Sequence, residues 1–390
     1  MTRDMSEAAR FGPAAAADAF CGEPPVGLAP RVVNPSLADL LDRHTVPGTL
    51  WHVEGGRIRC VACGHRCLIA PGRRGICKVR FNRNGELRVP FGYVSGLAAD
   101  PVEKKPFFHV YPGRTALTFG MLGCDFHCSY CQNWVTSQAL RDETATARIQ
   151  RVTPQQVVEG ARRQNAGLLV SSYNEPLITA EWAVAVFREA KLAGIDCAFV
   201  SNGNATPEAL DFLRPWLVAY KVDLKTFDDR RYRSLGGTLG HVTETIRMAH
   251  NRGLWVEVVT LLVPGFNDTG QELRDIAQFI ASVSRNIPWH VTAFHPDYRM
   301  TTPPETQAHD LIRAAEIGVE AGLRFVYAGN LPGGVGPWED TRCPGCGETL
   351  VERRGFRVLK RTLTPEDSCP RCGCSIPGVW QKTRVGVTFT

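Results

Sequence analysis

Three cysteines in the run Gly123-Cys124-Asp125-Phe126-His127-Cys128-Ser129-Tyr130-Cys131-Gln132-Asn133-Trp134 are spaced C-x3-C-x2-C. One short loop with that spacing can wrap three corners of a cubane and point three thiolates inward. Iron–sulfur clusters are held by Cys thiolates, normally four. Three protein ligands leave one iron open. An open position on a metal is what catalysis requires, as catalytic zinc illustrates. The competing readings are a three-thiolate zinc site and a chance run of buried thiols.

Two further sets of cysteines flank this loop. The chain has fourteen cysteines, grouped at 60–77, 124–131 and 343–374, with Cys21 and Cys197 standing alone. Gaps of two and three residues favour metal over disulfides, and with no visible signal peptide they point to a reducing cytoplasm. Cys60, Cys63, Cys67 and Cys77 form a Gly-rich knuckle whose four thiolates suit structural zinc and an auxiliary iron–sulfur cluster equally. His65 is either a replacement ligand or a surface residue. Cys343, Cys346, Cys369 and Cys372 lie in two C-P-x-C-G knuckles 22 residues apart, the pattern of a zinc ribbon or rubredoxin-like unit. Zinc is the simpler occupant there, and a single iron would instead suggest electron delivery. Cys374 is a spare thiol in this set. Cys197 sits in an apolar run and reads as core, while Cys21 has no metal-spaced neighbour.

The elements that must position these residues alternate. Apolar, β-rich runs are expected as strands at 115–119, 168–171, 196–201, 217–224, 255–262, 290–294 and 324–327. Helices lie between them, the first opened by Thr153 as N-cap and Pro154 at the first helical position. Short strands are expected at 86–94 and 107–111, with a helix at 36–43. Strands alternating with helices imply a parallel sheet, and so many repeats imply a complete or partial barrel. Right-handed crossovers put all strand C-termini on one rim. Polar runs follow five strands at that rim: Ser172-Tyr173-Asn174-Glu175-Pro176, Ser201-Asn202-Gly203, Asp223-Leu224-Lys225, Val263-Pro264-Gly265-Phe266-Asn267-Asp268 and His295-Pro296-Asp297-Tyr298. Singly, each reads as loop capping. Five on one rim, in register with the cysteine loop, read as a site.

The chain's 390 residues are 44% hydrophobic, enough for a large core. No run reaches the roughly 18 apolar residues of a membrane span. The net charge of +6 is spread along the chain, with no basic run dense enough to bind nucleic acid. The expected organisation is a mobile tail over 1–35, an extension with the four-cysteine knuckle over 36–112, the barrel over 113–338 and a four-cysteine tail over 339–390.

The loop Cys128-Ser129-Tyr130-Cys131-Gln132-Asn133-Trp134, preceded by Asp100-Pro101-Val102-Glu103-Lys104-Lys105-Pro106, resembles the radical S-adenosylmethionine (SAM) enzyme of the AmmeMemoRadiSam system. That group is similar to the pyruvate formate-lyase activating enzymes, and the resemblance spans roughly residues 50–380. It implies an α/β fold, a partial (βα)6 TIM-like barrel with Cys-rich metal-binding appendages at both ends. It also implies a 4Fe–4S cluster on Cys124, Cys128 and Cys131, with SAM chelating the open iron. Reductive cleavage of SAM would then give a 5′-deoxyadenosyl radical that abstracts hydrogen from a substrate. By the same resemblance Tyr130 lies by the adenine, and Asn174 and Glu175 meet the SAM amino group. Ser201 and Asn202 match the position that meets the methionyl carboxylate or ribose. Lys225 matches a partner of the carboxylate, and Asp223 one that holds the ribose or orients Lys225. Val263 and the segment Tyr327-Ala328-Gly329-Asn330 match adenine contacts, with core and turn as the plainer reading. Lys104 and Lys105 are either site residues or a solvated pair. His295, Asp297 and Tyr298 either face a substrate or are structural. A flavodoxin- or ferredoxin-type reductant is implied, and Memo-like and AMMECR-type proteins are the partners that the system's name suggests. A glycyl-radical activase acting on a partner protein is the alternative enzyme, and a non-catalytic zinc-binding interaction protein the alternative of another class.

Overall fold

Seven apolar runs, each short and mostly inaccessible, build the centre of the molecule as parallel strands. The computed structural model describes residues 36–381, so Cys21 lies outside the described residues. The strands are Thr115–Gly120, Leu168–Ser171, Asp196–Ser201, Ala219–Asp223, Trp255–Leu262, Trp289–Ala293 and Val326–Gly329, and they neighbour one another in chain order. All four residues of Leu168–Ser171 are buried, as expected for a parallel strand covered on both faces. Helices cross over between the strands, giving six strand–helix units and a final strand, the expected partial barrel. The helices start where threonines supply an acceptor. Thr153, Thr206, Thr238 and Thr269 each accept from a backbone N–H three residues on.

An eighth strand, Gly96–Pro101, pairs antiparallel with Thr115–Gly120 and closes that edge. The sequence did not announce it, because its residues alternate in burial without an apolar run. Two expected strands change form. The 86–94 run splits into Glu86–Pro90 and Tyr93–Val94 at Gly92, whose φ of 75° breaks the extended backbone. The 107–111 run makes only an isolated bridge from Val110 to Val379. It is instead a plug. Val102, Phe107 and Val110 pack against Ala116, Leu168, Ala198 and Ala219, which lie at or near the starts of their strands. The plug therefore fills the end of the barrel opposite the rim.

The two cysteine-rich appendages attach at different places. The C-terminal strands Thr341–Arg342, Thr349–Arg354 and Arg357–Arg361 pair antiparallel and pack on Phe108, Phe325 and Tyr327. Arg353, buried, reaches from this ribbon to donate to the Phe108 carbonyl at 2.8 Å while also donating to the Thr341 hydroxyl within the ribbon at 2.8 Å. The N-terminal segment is clipped to the helix Ala180–Leu192 through Glu181. Its carboxylate holds Arg80 at 2.7 and 2.8 Å and accepts from the Thr49 N–H at 3.0 Å. Both charged side chains are almost fully buried, so either one alone would be left unpaired in the core.

Breaking such a pair is expected to cost about 3–5 kcal/mol in the Glu181→Ala variant. Chemical unfolding followed by tryptophan fluorescence measures it. A loss below about 1 kcal/mol, the scale of an exposed pair, would mean that the clip does not hold the segment.

Candidate active site

The cysteine loop leaves the Thr115–Gly120 strand at Gly120 and is fixed from several sides. Gly120 itself must be glycine, since a Cβ there would lie 2.4 Å from the Ser172 carbonyl oxygen. The Met121 N–H donates to Asn174 Oδ1 at 2.9 Å and the His127 N–H to the Leu235 carbonyl at 2.9 Å. Phe126 is wholly buried. It sits so close to Gly237 that a Cβ there would be 2.2 Å from the ring.

Asp125 is the buried polar centre of the loop. Its two carboxylate oxygens accept from Asn202 Nδ2 at 2.7 Å and Asn204 Nδ2 at 2.8 Å. Glu175 holds the same strand end. It accepts from the Ser201 hydroxyl at 2.8 Å, the Asn202 N–H at 2.7 Å and the Leu177 N–H at 3.0 Å. Burial and the nearby Asp125 carboxylate push Glu175 up to about 8, against the pull of these donors. The polar atoms of Asn174, Glu175, Ser201 and Asn202 are thus engaged within the scaffold that carries the loop.

Below the loop lies a cavity of about 490 Å³, within the size range of ligand sites. Cys128, Tyr130, Cys131, Tyr173, Lys221, Asp223 and Lys225 line its upper part. Asp223 pairs with Lys221 at 2.5 Å and Lys225 at 3.2 Å. Burial works to raise Asp223, but the two ammonium groups outweigh it and hold the carboxyl down at about 2. Lys105, itself buried, meets Asp100 at 3.0 Å and the Tyr173 hydroxyl at 3.3 Å. Both Lys105 and Lys104 line the cavity, Lys105 buried and Lys104 half exposed. Tyr173 holds a φ of 71°, a strained conformation for an aromatic residue. At the floor, His290 meets Glu257 at 2.6 Å.

The remaining expected positions divide. Tyr130 lies on the wall with its ring 5.7 Å from that of Phe266. Tyr327, Ala328, Gly329, Asn330 and His295 also line the cavity. Val263 is fully buried core. Tyr298 clasps the loop from outside, stacking on Trp134 at 5.2 Å and donating to Asp142 at 2.8 Å. Asp297 bonds its own segment there through Met300. Sequence reasoning missed Lys221, Asp125, Asn204 and Tyr173. A signal for Lys221 existed: residues 221 and 223 share one face of a strand, so Asp223 has a lysine two residues to either side.

The three loop thiols are pushed up by burial, Cys128 to about 12, and a bound metal requires them deprotonated. Their spacing bears on which one. Four sulfurs held about 2.3 Å from one zinc stand about 3.8 Å apart. In the ribbon, Cys343 meets Cys372 at 3.5 Å and Cys346 meets Cys369 at 3.7 Å, with all four sulfurs within 4.8 Å of one another. Cys374 lies beside that set but outside it. Among the described residues no other three Cys, His, Asp or Glu ligand atoms come so close. Cys124, Cys128 and Cys131 are not gathered into such a single-ion group. They fit a cluster, in which each thiolate holds its own iron.

An open parallel barrel with a three-cysteine loop after its first strand defines a class. Residues 119–280 match the family described as the Radical SAM superfamily. An uncharacterized protein of Methanocaldococcus jannaschii is 37% identical over 82% of this chain and 95% of its own length. The chain belongs to the radical SAM superfamily, and membership implies a 4Fe–4S cluster and SAM. The pyruvate formate-lyase-activating enzyme of Staphylococcus aureus is 24% identical over 57% of this chain and 92% of its own. A solved radical SAM methyltransferase from Sphaerobacter thermophilus superposes over 56% of this chain and 68% of its own, at 18% identity and a TM-score of 0.45.

If Phe126 and Gly237 lock the loop, the Gly237→Ala variant should fold but load less iron and sulfide than the wild type after anaerobic reconstitution. Gly240→Ala, where a Cβ meets nothing within 4 Å, should load the full amount. Equal loading in both variants would show that the contact is dispensable.

Proposed function

We propose that this chain is a radical SAM enzyme that cleaves SAM reductively and uses the cavity to bring a hydrogen donor to the product radical. The observation that carries the reading is the opening of Cys128 and Cys131, beside Tyr130, onto a cavity walled by Lys221, Asp223 and Lys225. When bound, a 4Fe–4S cluster with one open iron and SAM supply one-electron cleavage of the sulfonium and a 5′-deoxyadenosyl radical.

Every other part of the task falls to the protein. Cys124, Cys128 and Cys131 hold the cluster. Lys225 and Lys221 share a single carboxylate, so their pairing leaves positive charge for the SAM carboxylate. Asp223 keeps both ammonium groups in place. Tyr130 offers a ring face for the adenine. Asn174, Glu175, Ser201 and Asn202 position the loop and the strand ends. The plug at 102–111 and the ribbon close the barrel floor, which keeps water from a reactive intermediate. A carrier of the flavodoxin or ferredoxin type supplies the electron, and zinc occupies Cys343, Cys346, Cys369 and Cys372.

A second reading makes the hydrogen donor a glycine of a partner protein. It draws on the relatives named as activating enzymes for pyruvate formate-lyase and isethionate sulfite-lyase. A persistent organic radical in the EPR spectrum of a partner after incubation would support it, and a radical-free partner would remove it.

The test of the main reading is 5′-deoxyadenosine formation by anaerobically reconstituted protein with a strong reductant. The wild type should form it and the Cys124→Ala/Cys128→Ala/Cys131→Ala variant should not. Loss of one charge-assisted hydrogen bond costs about 1.5–3 kcal/mol, so Lys225→Ala should weaken SAM binding about 10–100-fold, read by calorimetry. A fully loaded wild type that forms no product would favour the non-catalytic alternative.

A further inference from the structure

The N-terminal knuckle gathers four thiols around a centre of its own. Cys60 ends the strand Arg57–Cys60, and its N–H donates to the Cys67 carbonyl at 3.0 Å. The Cys67 sulfur accepts from the Ile76 N–H at 3.4 Å, next to Cys77. Cys60, Cys63 and Cys77 are buried. Cys60 lies within electrostatic reach of the other three thiols. Backbone N–H groups of His65, Val79 and Arg80 are directed at the sulfurs of Cys63 and Cys77. Hydrogen bonds to sulfur are one of the means by which proteins tune iron–sulfur clusters.

The size of the set separates the two occupants that four thiolates allow. The ribbon sulfurs draw within 4.8 Å of one another, but no three of the knuckle sulfurs do. Among the described residues the knuckle thiols form no single-ion group of the ribbon's kind. The knuckle also adjoins the cluster loop. A Cβ on Gly123 would lie 3.2 Å from the Cys77 carbonyl oxygen. Arg141 bridges the two segments, donating to the Phe126 carbonyl at 3.1 Å and the Ile76 carbonyl at 2.6 Å. His65 Nε2 lies 3.2 Å from the Asp125 carbonyl.

We propose that Cys60, Cys63, Cys67 and Cys77 hold a second iron–sulfur cluster, set beside the cluster loop to pass it electrons one at a time. A one-electron carrier protein reduces the second cluster. That cluster is reoxidised as the first is reduced, with no bond made and no proton moved. Zinc, with no redox chemistry, is unable to do this. The relay rests on the function proposed above, whereas the metal assignment does not.

The test uses the full chain, reconstituted anaerobically with iron and sulfide and analysed for iron, acid-labile sulfide and zinc. The Cys124→Ala/Cys128→Ala/Cys131→Ala variant should keep iron and sulfide in equal amounts. The Cys60→Ala/Cys63→Ala variant should lose that share and keep the rest. If either variant fails to fold, the wild type decides the question by its zinc content. About one zinc per chain supports a second cluster, and about two, the second in the knuckle, overturns it. A cluster-loop variant without iron also overturns it. For the relay, reduction of the remaining cluster by reduced flavodoxin should slow by an order of magnitude in the knuckle variant, followed by EPR. An unchanged rate overturns the relay. A wild type carrying both clusters yet forming no 5′-deoxyadenosine contradicts the proposed function and leaves the second cluster standing.

Discussion

A single buried carboxylate organises this molecule. Asp125 lies inside the cysteine loop with no exposure to solvent. Taking an ionised carboxylate from water costs several kcal/mol unless hydrogen bonds replace the hydration. Asn202 and Asn204 supply them from the end of a strand two positions along the sheet. The loop can therefore close only when that strand end is in place, and Glu175 sets the strand end by holding Ser201 and the Asn202 backbone. His65 approaches the same residue from the knuckle. Cluster loop, barrel rim and N-terminal knuckle thus meet at one residue, the rim at its carboxylate and the knuckle at its backbone carbonyl.

The cavity beneath is built on the complementary principle. Its wall carries more cationic side chains than anionic ones, because Lys221 and Lys225 share Asp223 and because Lys105 also faces inward. A recessed site with surplus positive charge suits a ligand bearing carboxylate or phosphate, since a lower dielectric than water strengthens the attraction. Tyr173 adds a strained backbone at the mouth of this wall, held by Gly96 and Gly120, which leave room for its ring. Such strain costs about 1–3 kcal/mol and persists where the surroundings over-determine it.

Much of this was legible in the sequence. The seven parallel strands stood out because burial on both faces demands continuous apolar runs, and the helix starts because Thr and Pro have fixed uses there. The three cysteine sets were read from spacing alone. What spacing did not carry was distance. Knuckle and ribbon both present four cysteines, and among the described residues only the ribbon's four sulfurs are gathered as a single ion requires. Nor does sequence show which partners a polar rim residue bonds, such as Asn202 with Asp125 or Glu175 with Ser201. The Gly96–Pro101 strand and the plug escaped notice because both lack a clean period. Their structure comes from the strands they cover.

The most direct measurement is the EPR spectrum of the reduced protein with and without SAM. To isolate the loop cluster, it would be recorded on the Cys60→Ala/Cys63→Ala variant. A cluster held by three thiolates, with its open iron facing the cavity, predicts that adding SAM changes the spectrum, because SAM becomes a ligand of that iron. A spectrum identical with and without SAM, at a concentration where calorimetry shows it bound, would contradict the account at its centre.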